Sequence, residues 1–550
     1  MSRLICQRRI AWLLLLLSCI FLFLVGKLVK IQLFRSAELT ELAVQQRARG
    51  LNFFDGRGDI QDRHGDSLLD SRQELGLVAF PGLYRGWEEE LLRLFPDLPE
   101  LDRLKNPPDG PYPFWLTSSL ARPHPALEGS VPGLVPLLNR QRYGPEALAS
   151  HLVGYLNESQ GRGVSGIEGA FDGELSRGQE ALLSAVVDGR DRLVPGLGYR
   201  LRRSRDASSN VVLSLDGPLQ KELEAILDRH LRRGAAVVMD PWNGDLLALA
   251  SHPNFQAHKL ADYLDQDQQA LINRALWEYQ PGSLFKIVVA AAALEEKLVD
   301  LFDKFYCPGG ITVEGLFIPC SRLHRGEEIT LVEAFAHSCN TVFIQLALRL
   351  GPEKIIALAE NLGLGRPTGI PVEERPGSLP SREDLASPRC LANMALGQGE
   401  VMTSPLQMAV VVSAVANGGR RVQPRLVLAL TDDSGRRTRN YLPRRGEYVF
   451  SPATAHRLKY LMQAVVEQGT ARSVSLPGEP VGAKTGTAQS GRVTGEGREI
   501  LNYWIAGLYP LDQARAVIVV FADELKEGTV QEVFGKVVQA LSRSSLWAKR

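Results

Sequence analysis

Residues 277–294 read WEYQPGSLFKIVVAAAAL, and this pattern predicts the first turns of a buried helix that carries a reactive serine. Lys286 follows Ser283 by three positions, and small or β-branched apolar residues come next. Side chains three positions apart share one face of a helix, and the helix N-terminus places free N–H groups and the positive end of its dipole beside the serine. Burial disfavours the ammonium form of a lysine, so Lys286 could accept the proton of the Ser283 hydroxyl.

An isolated Ser-x-x-Lys is weak evidence, because a helix start whose lysine extends to solvent has the same pattern. A second segment strengthens the interpretation. Ser338-Cys339-Asn340 lies in EAFAHSCNTVFIQLAL, between two apolar helical stretches. The spacing Ser-x-Asn is not specific by itself, since residues 208–210 also match and are typical of a turn before a strand.

A third segment, VGAKTGTAQS at residues 481–490, places Lys484, Thr485, Gly486 and Thr487 on a run of small residues. A glycine inside a strand allows another backbone to approach closely, and the neighbouring lysine and threonine could hold a carboxylate. Taken alone, the tetrapeptide is also typical of an edge strand weakened by glycine. Support for an active site therefore comes from the three segments together and from their order along the chain.

Ser-x-x-Lys, Ser-x-Asn and Lys-Thr-Gly in that order form the signature of active-site serine enzymes that recognise penicillin. The chain resembles the class B penicillin-binding proteins, which are monofunctional peptidoglycan D,D-transpeptidases. The resemblance extends to RGDIQDRHGDSLLDS at 57–71, GVSGIEGAFDGEL at 163–175, ALGQGEVMTSPLQMA at 395–409 and VVEQGTA at 465–471. It departs from the family at Leu284, where threonine is common, and at NYWIAGLYP, where a His-x-Trp-Phe pattern is common.

The resemblance implies a role for each motif residue. Ser283 would attack the bond between the two terminal D-alanines of a stem peptide, with Lys286 as general base. Ser338 and Lys484 would relay the proton to the leaving amine, and Asn340 would bind the substrate backbone. Thr485 and Thr487 would bind the terminal carboxylate, beside Gly486, and the N–H groups of Ser283 and Thr487 would form the oxyanion hole. A β-lactam would acylate the same serine.

The N-terminus predicts a membrane anchor. An unbroken apolar run from Ile10 to Gly26 spans roughly 26 Å as a helix, and the next residues extend it, so we assign residues 10–29 to one transmembrane helix. Three arginines precede it, which favours residues 1–9 as a cytoplasmic tail and the rest of the chain as extracytoplasmic. A cleaved signal peptide or a lipoprotein signal is the alternative, but the apolar run is long and lacks an Ala-x-Ala site.

The rest of the chain predicts two further domains. Residues 30–205 are rich in Gly, Asp and Pro turns and indicate a loop-rich, partly β pedestal domain. Residues 206–545 open with a strand, a helix and a hairpin about Trp-Asn-Gly, continue with helices, and end with two more strands. The fold class is therefore α/β of the α+β type, a penicillin-binding protein or β-lactamase-like transpeptidase domain with one antiparallel sheet flanked by helices.

Charge and cysteine content exclude several classes of partner. With 63 basic and 62 acidic residues there is no global field to recruit nucleic acid. No Cys-x-x-Cys or His-Glu-x-x-His occurs, so we predict no metal and no cofactor. Cys307 and Cys320 flank a glycine-rich segment whose turns would allow one disulfide in an oxidising space.

Two alternative functions share the three motifs. A membrane-anchored β-lactamase would need a residue that activates water for deacylation, and the Glu-x-x-Leu-Asn segment typical of class A enzymes does not precede Lys484. A β-lactam sensor would keep the fold without turnover. A bifunctional synthase is excluded because no Glu-Asp dyad of a glycosyltransferase is found. The family resemblance further implies stem peptides on nascent glycan as substrate and a SEDS-type glycan polymerase as partner at the membrane.

Overall fold

The computed structural model divides the chain into two compact units. Unit 1 comprises residues 1–56, 73–141 and 178–205, and unit 2 comprises residues 57–72, 142–177 and 206–550. The structure describes residues 2–34, 48–54, 56–84, 89, 102–107, 112–117, 133–157, 160–178, 180–188, 190, 192–194, 199–203, 208–266, 268–320, 326–444, 446–476, 478–493, 497, 499–523, 528–544 and 546. Unit 1 ends at the predicted boundary near residue 205, whereas two segments from within the predicted pedestal belong to unit 2.

The strands range in length from two residues to the twelve of the edge strand Gly482–Val493. In chain order they are β1 (Ala48–Phe54), β2 (Ile60–Gln61), β3 (Arg72–Ala79), β4 (Phe114–Thr117), β5 (Leu134–Gln141), β6 (Leu156–Asn157), β7 (Arg162–Gly163), β8 (Glu180–Val186), β9 (Tyr199–Arg203), β10 (Asn210–Leu213), β11 (Gly234–Met239), β12 (Leu246–His252), β13 (Lys304–Cys307), β14 (Gly310–Val313), β15 (Leu316–Pro319), β16 (Glu327–Thr330), β17 (Val427–Thr431), β18 (Arg437–Asn440), β19 (Gly482–Val493), β20 (Glu499–Tyr509) and β21 (Ala516–Asp523).

The helices are concentrated in unit 2. They are α1 (Ser2–Val29), α2 (Pro81–Tyr84), α3 (Asp102–Lys105), α4 (Ser150–Val153), α5 (Gly166–Ala170), α6 (Asp172–Leu175), α7 (Gly217–His230), α8 (Leu260–Gln266), α9 (Lys286–Glu295), α10 (Leu331–Ala336), α11 (Asn340–Leu350), α12 (Pro352–Asn361), α13 (Pro388–Ala395), α14 (Pro405–Ala416), α15 (Pro452–Glu467) and α16 (Thr529–Arg543).

The N-terminal helix is long and apolar enough to cross a membrane. Within the described residues it is the single helix of that kind, and its apolar span runs over Trp12–Gln32, 21 residues. At 1.5 Å per residue this span is about 32 Å long, close to the hydrocarbon thickness of a bilayer. The side chains along the span are exposed, as expected of a surface that faces lipid.

Unit 1 contains two three-stranded sheets, with strand orders β1-β8-β9 and β4-β3-β5. Their buried side chains form one small core, which includes Phe53, Val78, Phe80 and Leu183. The C-terminal half of β3 is buried at successive positions, so this strand is covered on both faces. The partly β character predicted for the region is therefore observed.

Unit 2 is organised around one antiparallel sheet of five strands, in the order β12-β11-β21-β20-β19. The chain begins the sheet with β11 and β12 and completes it with β19 to β21, with the helices of the middle region between them. Helix α7 packs on β11 and β12, α16 packs on α7, β20 and β21, and α14 packs on β11, β20 and β21. The predicted sheet, completed by both ends of the domain and covered by helices, is confirmed, whereas the opening strand β10 belongs to a separate sheet with β2, β17 and β18.

Two features of this sheet position the site. Helix α9 is buried at every position from Lys286 to Leu294, which agrees with its apolar character on all sides. Strand β19 is the last strand of the sheet, and its free edge contacts the 3-10 turn Gly282–Phe285 that leads into α9. An edge strand has unpaired N–H and C=O groups, which a peptide substrate could use.

The segments 57–71 and 163–175 form a buried ion-pair network in unit 2. Arg57 donates to Glu168 Oε2 at 2.8 Å and to Asp172 Oδ1 at 2.8 Å. Arg142 pairs with the other oxygen of Glu168, which also accepts a 3.0 Å hydrogen bond from Tyr143. Glu168 is fully buried, so the network joins these segments inside the fold.

Candidate active site

Ser283 lies in a tight turn that glycine makes possible. Gly282 has a φ of +54°, a conformation that side-chain-bearing residues rarely adopt. A Cβ atom at this position would lie 2.4 Å from the carbonyl oxygen of Thr487. The turn therefore presses directly against strand β19, and it presents the half-buried Ser283 at the start of helix α9.

Gly486 serves the same close approach from the other side. A Cβ atom there would lie 2.8 Å from the carbonyl oxygen of Pro281 and 3.2 Å from the side chain of Leu284. The indole of Trp504, on the neighbouring strand β20, donates a 3.0 Å hydrogen bond to the carbonyl of Gln280. The glycine that the sequence placed in the strand is thus required by the backbone of the serine turn.

The ammonium nitrogen of Lys286 is held by the Ser-x-Asn segment. Lys286 Nζ donates to the Ser338 carbonyl at 2.7 Å, to Asn340 Oδ1 at 2.8 Å and to Ser338 Oγ at 3.2 Å. Among the described residues, no hydrogen bond joins it to Ser283. Burial lowers the pKa of Lys286 from 10.5 to about 8, while the nearby thiols of Cys339 and Cys320 act in the opposite direction.

Ser338 occupies the junction between helices α10 and α11. Its φ is +59°, in the left-handed region that few non-glycine residues occupy. The N–H of Cys339 closes the junction by donating to the carbonyl of Ala334 at 2.8 Å. The amide nitrogen of Asn340 donates to the carbonyl of Pro319 at 3.0 Å, which fixes the orientation of this side chain. Backbone strain of this kind is common at functional sites.

Lys484 brings the third motif to the same hydroxyl. Its Nζ donates to Ser338 Oγ at 3.0 Å and to the Thr485 carbonyl at 2.9 Å. The side chain is fully buried, and burial together with repulsion from Lys286 holds the pKa of Lys484 well below its usual range. Ser338 Oγ therefore lies between two lysines, each within hydrogen-bond distance.

The two threonines of this motif line the free edge of β19. Thr485 is half-buried and Thr487 is exposed. The carbonyl of Thr487 faces the serine turn, and the carbonyl of Thr485 faces Lys484 Nζ. Because the N–H and C=O of one strand residue point to the same side, the N–H groups of both threonines also face the free edge.

Thr470 was not assigned a role from the sequence. It lies in VVEQGTA, just after helix α15, and its Oγ1 is 2.5 Å from Thr485 Oγ1. The family resemblance drew attention to this segment, but a threonine after a glycine carries no chemical signal of its own. Its position becomes visible only when α15 is placed beside β19.

Three buried cysteines lie next to the site. The sulfur atoms of Cys307, Cys320 and Cys339 lie within 4.8 Å of one another. All three are thiols, so the bridge considered between Cys307 and Cys320 is not formed in this structure; Cys320 Sγ is 3.4 Å from Cys339 Sγ. Such sulfurs could hold a thiophilic metal ion, and among the described residues no other group of Cys, His, Asp or Glu has this geometry.

Comparisons with known proteins agree with this arrangement. The family model "Penicillin binding protein transpeptidase domain" matches residues 234–542. The stage V sporulation protein D of Bacillus subtilis is 29% identical over 97% of this chain and 84% of its own length. A peptidoglycan D,D-transpeptidase FtsI homolog of Mesostigma viride is 25% identical over 91% of this chain and 89% of its own length.

Solved structures agree as well. The D,D-transpeptidase domain of a peptidoglycan glycosyltransferase from Eggerthella lenta superposes with a TM-score of 0.66 at 26% identity, covering 88% of this chain and 98% of that one. The family match covers more than half of the chain and includes all three motif segments. The chain therefore belongs to the penicillin-binding protein transpeptidase family, among its class B members.

Proposed function

We propose that Ser283 is the nucleophile of a peptidoglycan D,D-transpeptidase that cross-links stem peptides through an acyl-enzyme. Ser283 Oγ attacks the carbonyl between the two terminal D-alanines, and the amide bond breaks as the ester forms. The terminal D-alanine leaves with a proton on its amine. An amine of a second stem peptide then attacks the ester, which forms the cross-link and returns the proton to Ser283.

The observation that supports this proposal most is the convergence on Ser338 Oγ. Lysines from two segments nearly 200 positions apart reach one hydroxyl, immediately behind the serine turn. Lys286, three residues after Ser283, has a lowered pKa of about 8, which leaves a useful fraction neutral near physiological pH. We assign it the role of general base toward Ser283. The Lys286 amine would come within hydrogen-bond distance of Ser283 Oγ when substrate is bound, since catalytic hydrogen bonds often form or tighten only in the substrate complex.

Ser338 and Lys484 would return the proton to the leaving amine. Ser338 Oγ is 3.2 Å from Lys286 Nζ and 3.0 Å from Lys484 Nζ, so a proton can pass along this line without large movement. Burial and repulsion from Lys286 also hold the pKa of Lys484 well below its usual range. Two neighbouring lysines of this kind share their protons as one coupled group.

The substrate-binding roles follow from the free edge of β19. The N–H of Thr487 points to this edge, and with the N–H of Ser283 it would form the oxyanion hole, which contributes about 3 kcal/mol or more in comparable enzymes. One proton of the Asn340 amide is used by Pro319, and the second is available for a substrate carbonyl. Thr485 and Thr487 would bind the terminal carboxylate, or the carboxylate of a β-lactam.

Localisation and partners complete the proposal. The apolar span Trp12–Gln32 supports a single-pass membrane protein. We propose a cytoplasmic N-terminus and an extracytoplasmic catalytic domain, since three arginines precede the span. Residues 30–205 would serve as pedestal and 206–545 as transpeptidase domain. A SEDS-type glycan polymerase would bind through the membrane helix and the pedestal, supplying nascent glycan to the site.

The decisive experiment is intact-mass spectrometry of the protein after exposure to benzylpenicillin, with Ser283→Ala as control. The proposal predicts a mass increase equal to one drug molecule, stable over hours and absent from the variant. Catalytic destruction of the drug would instead identify a β-lactamase. A stable adduct without any cross-linking of stem peptides would identify a sensor.

A further inference from the structure

A pair of side-chain hydroxyls joins the segment 465–471, which contains none of the three motifs, to strand β19. Thr470 Oγ1 and Thr485 Oγ1 are 2.5 Å apart, which is a short hydrogen bond between side chains. Thr470 is exposed and Thr485 is half-buried, so the pair borders the groove along β19. Neither the sequence motifs nor the proposed proton relay uses Thr470.

The backbone around Thr470 is held in place on two sides. The Thr470 N–H donates to the carbonyl of Ala336 at 3.1 Å, two residues before Ser338. A Cβ atom at Gly469 would lie 2.2 Å from the same carbonyl, so only glycine allows this approach. The N–H of Ala471 donates to the carbonyl of Val465 at 3.1 Å, which ties the segment to helix α15. Thr470 is therefore placed by the fold and is not a mobile surface residue.

The direction of the hydrogen bond follows from the chemistry of a carboxylate. A carboxylate only accepts hydrogen bonds, so Thr485 must donate its single hydroxyl proton to it. Thr485 Oγ1 is then left as an acceptor, and the Thr470 hydroxyl becomes the donor to it. The hydrogen bond from Thr470 polarises the Thr485 hydroxyl and keeps the O–H bond of Thr485 directed toward the groove.

We propose that Thr470 is a positioning residue that orients the Thr485 hydroxyl toward the terminal carboxylate of the donor peptide. This inference rests on the proposed function, because it takes Thr485 as the carboxylate ligand. Thr470 would thereby favour donors that end in a free carboxylate over donors that end in a neutral group. It acts on recognition, and not on the proton transfers at Lys286.

The test compares two donors on three variants. The donors are an acyl-D-alanyl thioester that ends in a free carboxylate and the same thioester with that carboxylate converted to the methyl amide. Thiol release gives kcat and KM for the wild type, Thr470→Val, Thr470→Ser and the matched control Thr438→Val, whose hydroxyl donates to the Leu430 carbonyl in a sheet that does not contain β19. Thermal unfolding of each variant reports whether the fold is retained.

For the carboxylate donor we expect Thr470→Val to lower kcat/KM about fivefold, mainly through KM, since the lost hydrogen bond joins two neutral hydroxyls and such a bond has about that effect. The methyl amide donor should be unaffected, Thr470→Ser should stay within about twofold of wild type, and Thr438→Val should change neither donor. Equal losses on both donors, no loss on either, or a failure of serine to rescue would each overturn the inference. If Ser283→Ala still turns over both donors, the proposed function itself fails, whatever Thr470 does.

Discussion

The pH dependence of acylation should report the neutral form of Lys286. Burial sets the pKa of this lysine at about 8, against 10.5 for an ordinary lysine. At pH 7 about one molecule in ten then has a neutral Lys286, compared with about one in 3,000 for an unperturbed lysine. The buried environment therefore increases the population of competent base roughly 300-fold at this pH.

The lowered pKa of Lys286 determines how the acylation rate changes with pH. Lys286 loses its proton as pH rises, so the second-order rate of acylation should increase about tenfold per pH unit below 8 and level off above it. The measurement is stopped-flow fluorescence with a labelled penicillin at drug concentrations far below saturation. Circular dichroism at each pH confirms that the protein stays folded.

Lys286→Arg separates this explanation from a general effect of pH on the site. A guanidinium keeps its proton throughout the accessible pH range, so this variant retains the positive charge but cannot act as a base. We expect its acylation rate to be at least 100-fold below wild type and to lack the rise through pH 8. A wild-type acylation rate that is flat between pH 6 and 9 would refute the role assigned to Lys286. So would an acylation rate that keeps rising toward pH 10.5, the pKa of an ordinary lysine.

Three further predictions follow from other contacts. Gly282→Ala would force a Cβ atom to within 2.4 Å of the Thr487 carbonyl at a φ of +54°, so penicillin acylation should fall at least tenfold; an unchanged rate would show that the turn can relax. Arg57→Met leaves the buried Glu168 with fewer partners, so the free energy of unfolding in urea should fall by about 3 kcal/mol while acylation per folded molecule is retained; equal stability would contradict the structural role of the network. Diamide accepts the two hydrogens of two thiols, and it should join Cys320 to Cys339, whose sulfurs are 3.4 Å apart. The variant Cys307→Ser should still form this disulfide. Peptide mapping that finds Cys307 bridged to Cys320 instead would contradict the geometry.

The proximity of the proposed catalytic residues was predictable where local spacing alone determines it. Ser283 and Lys286 share one turn, and the start of helix α9 keeps them together whatever the rest of the fold does. The hairpin between β11 and β12 and the pair β20 and β21 were likewise indicated by strand periodicity and turn residues, and they are observed. These features depend on sequence neighbours alone.

Features that depend on tertiary packing could not be predicted from local sequence patterns. Residues 208–210 and 338–340 have the same Ser-x-Asn spacing, yet only the second lies against Lys286. The cysteine cluster was missed because its three members come from separate segments, and Cys339 was read only as the middle of a motif. The contact of Thr470 with Thr485 depends on the placement of α15 beside β19, which no local pattern encodes.

The central claim, that Ser283 forms the acyl-enzyme with a peptide donor, can be tested at a single tryptic peptide. Trypsin cleaves after Arg274 and Lys286, and the resulting peptide, residues 275–286, contains Ser283 as its only serine. The measurement is tandem mass spectrometry of the protein quenched in acid during turnover of an acyl-D-alanyl thioester. The account predicts the acyl-D-alanyl mass on Ser283 within this peptide, and none in Ser283→Ala. An adduct on another residue, or turnover that persists in Ser283→Ala, would contradict it.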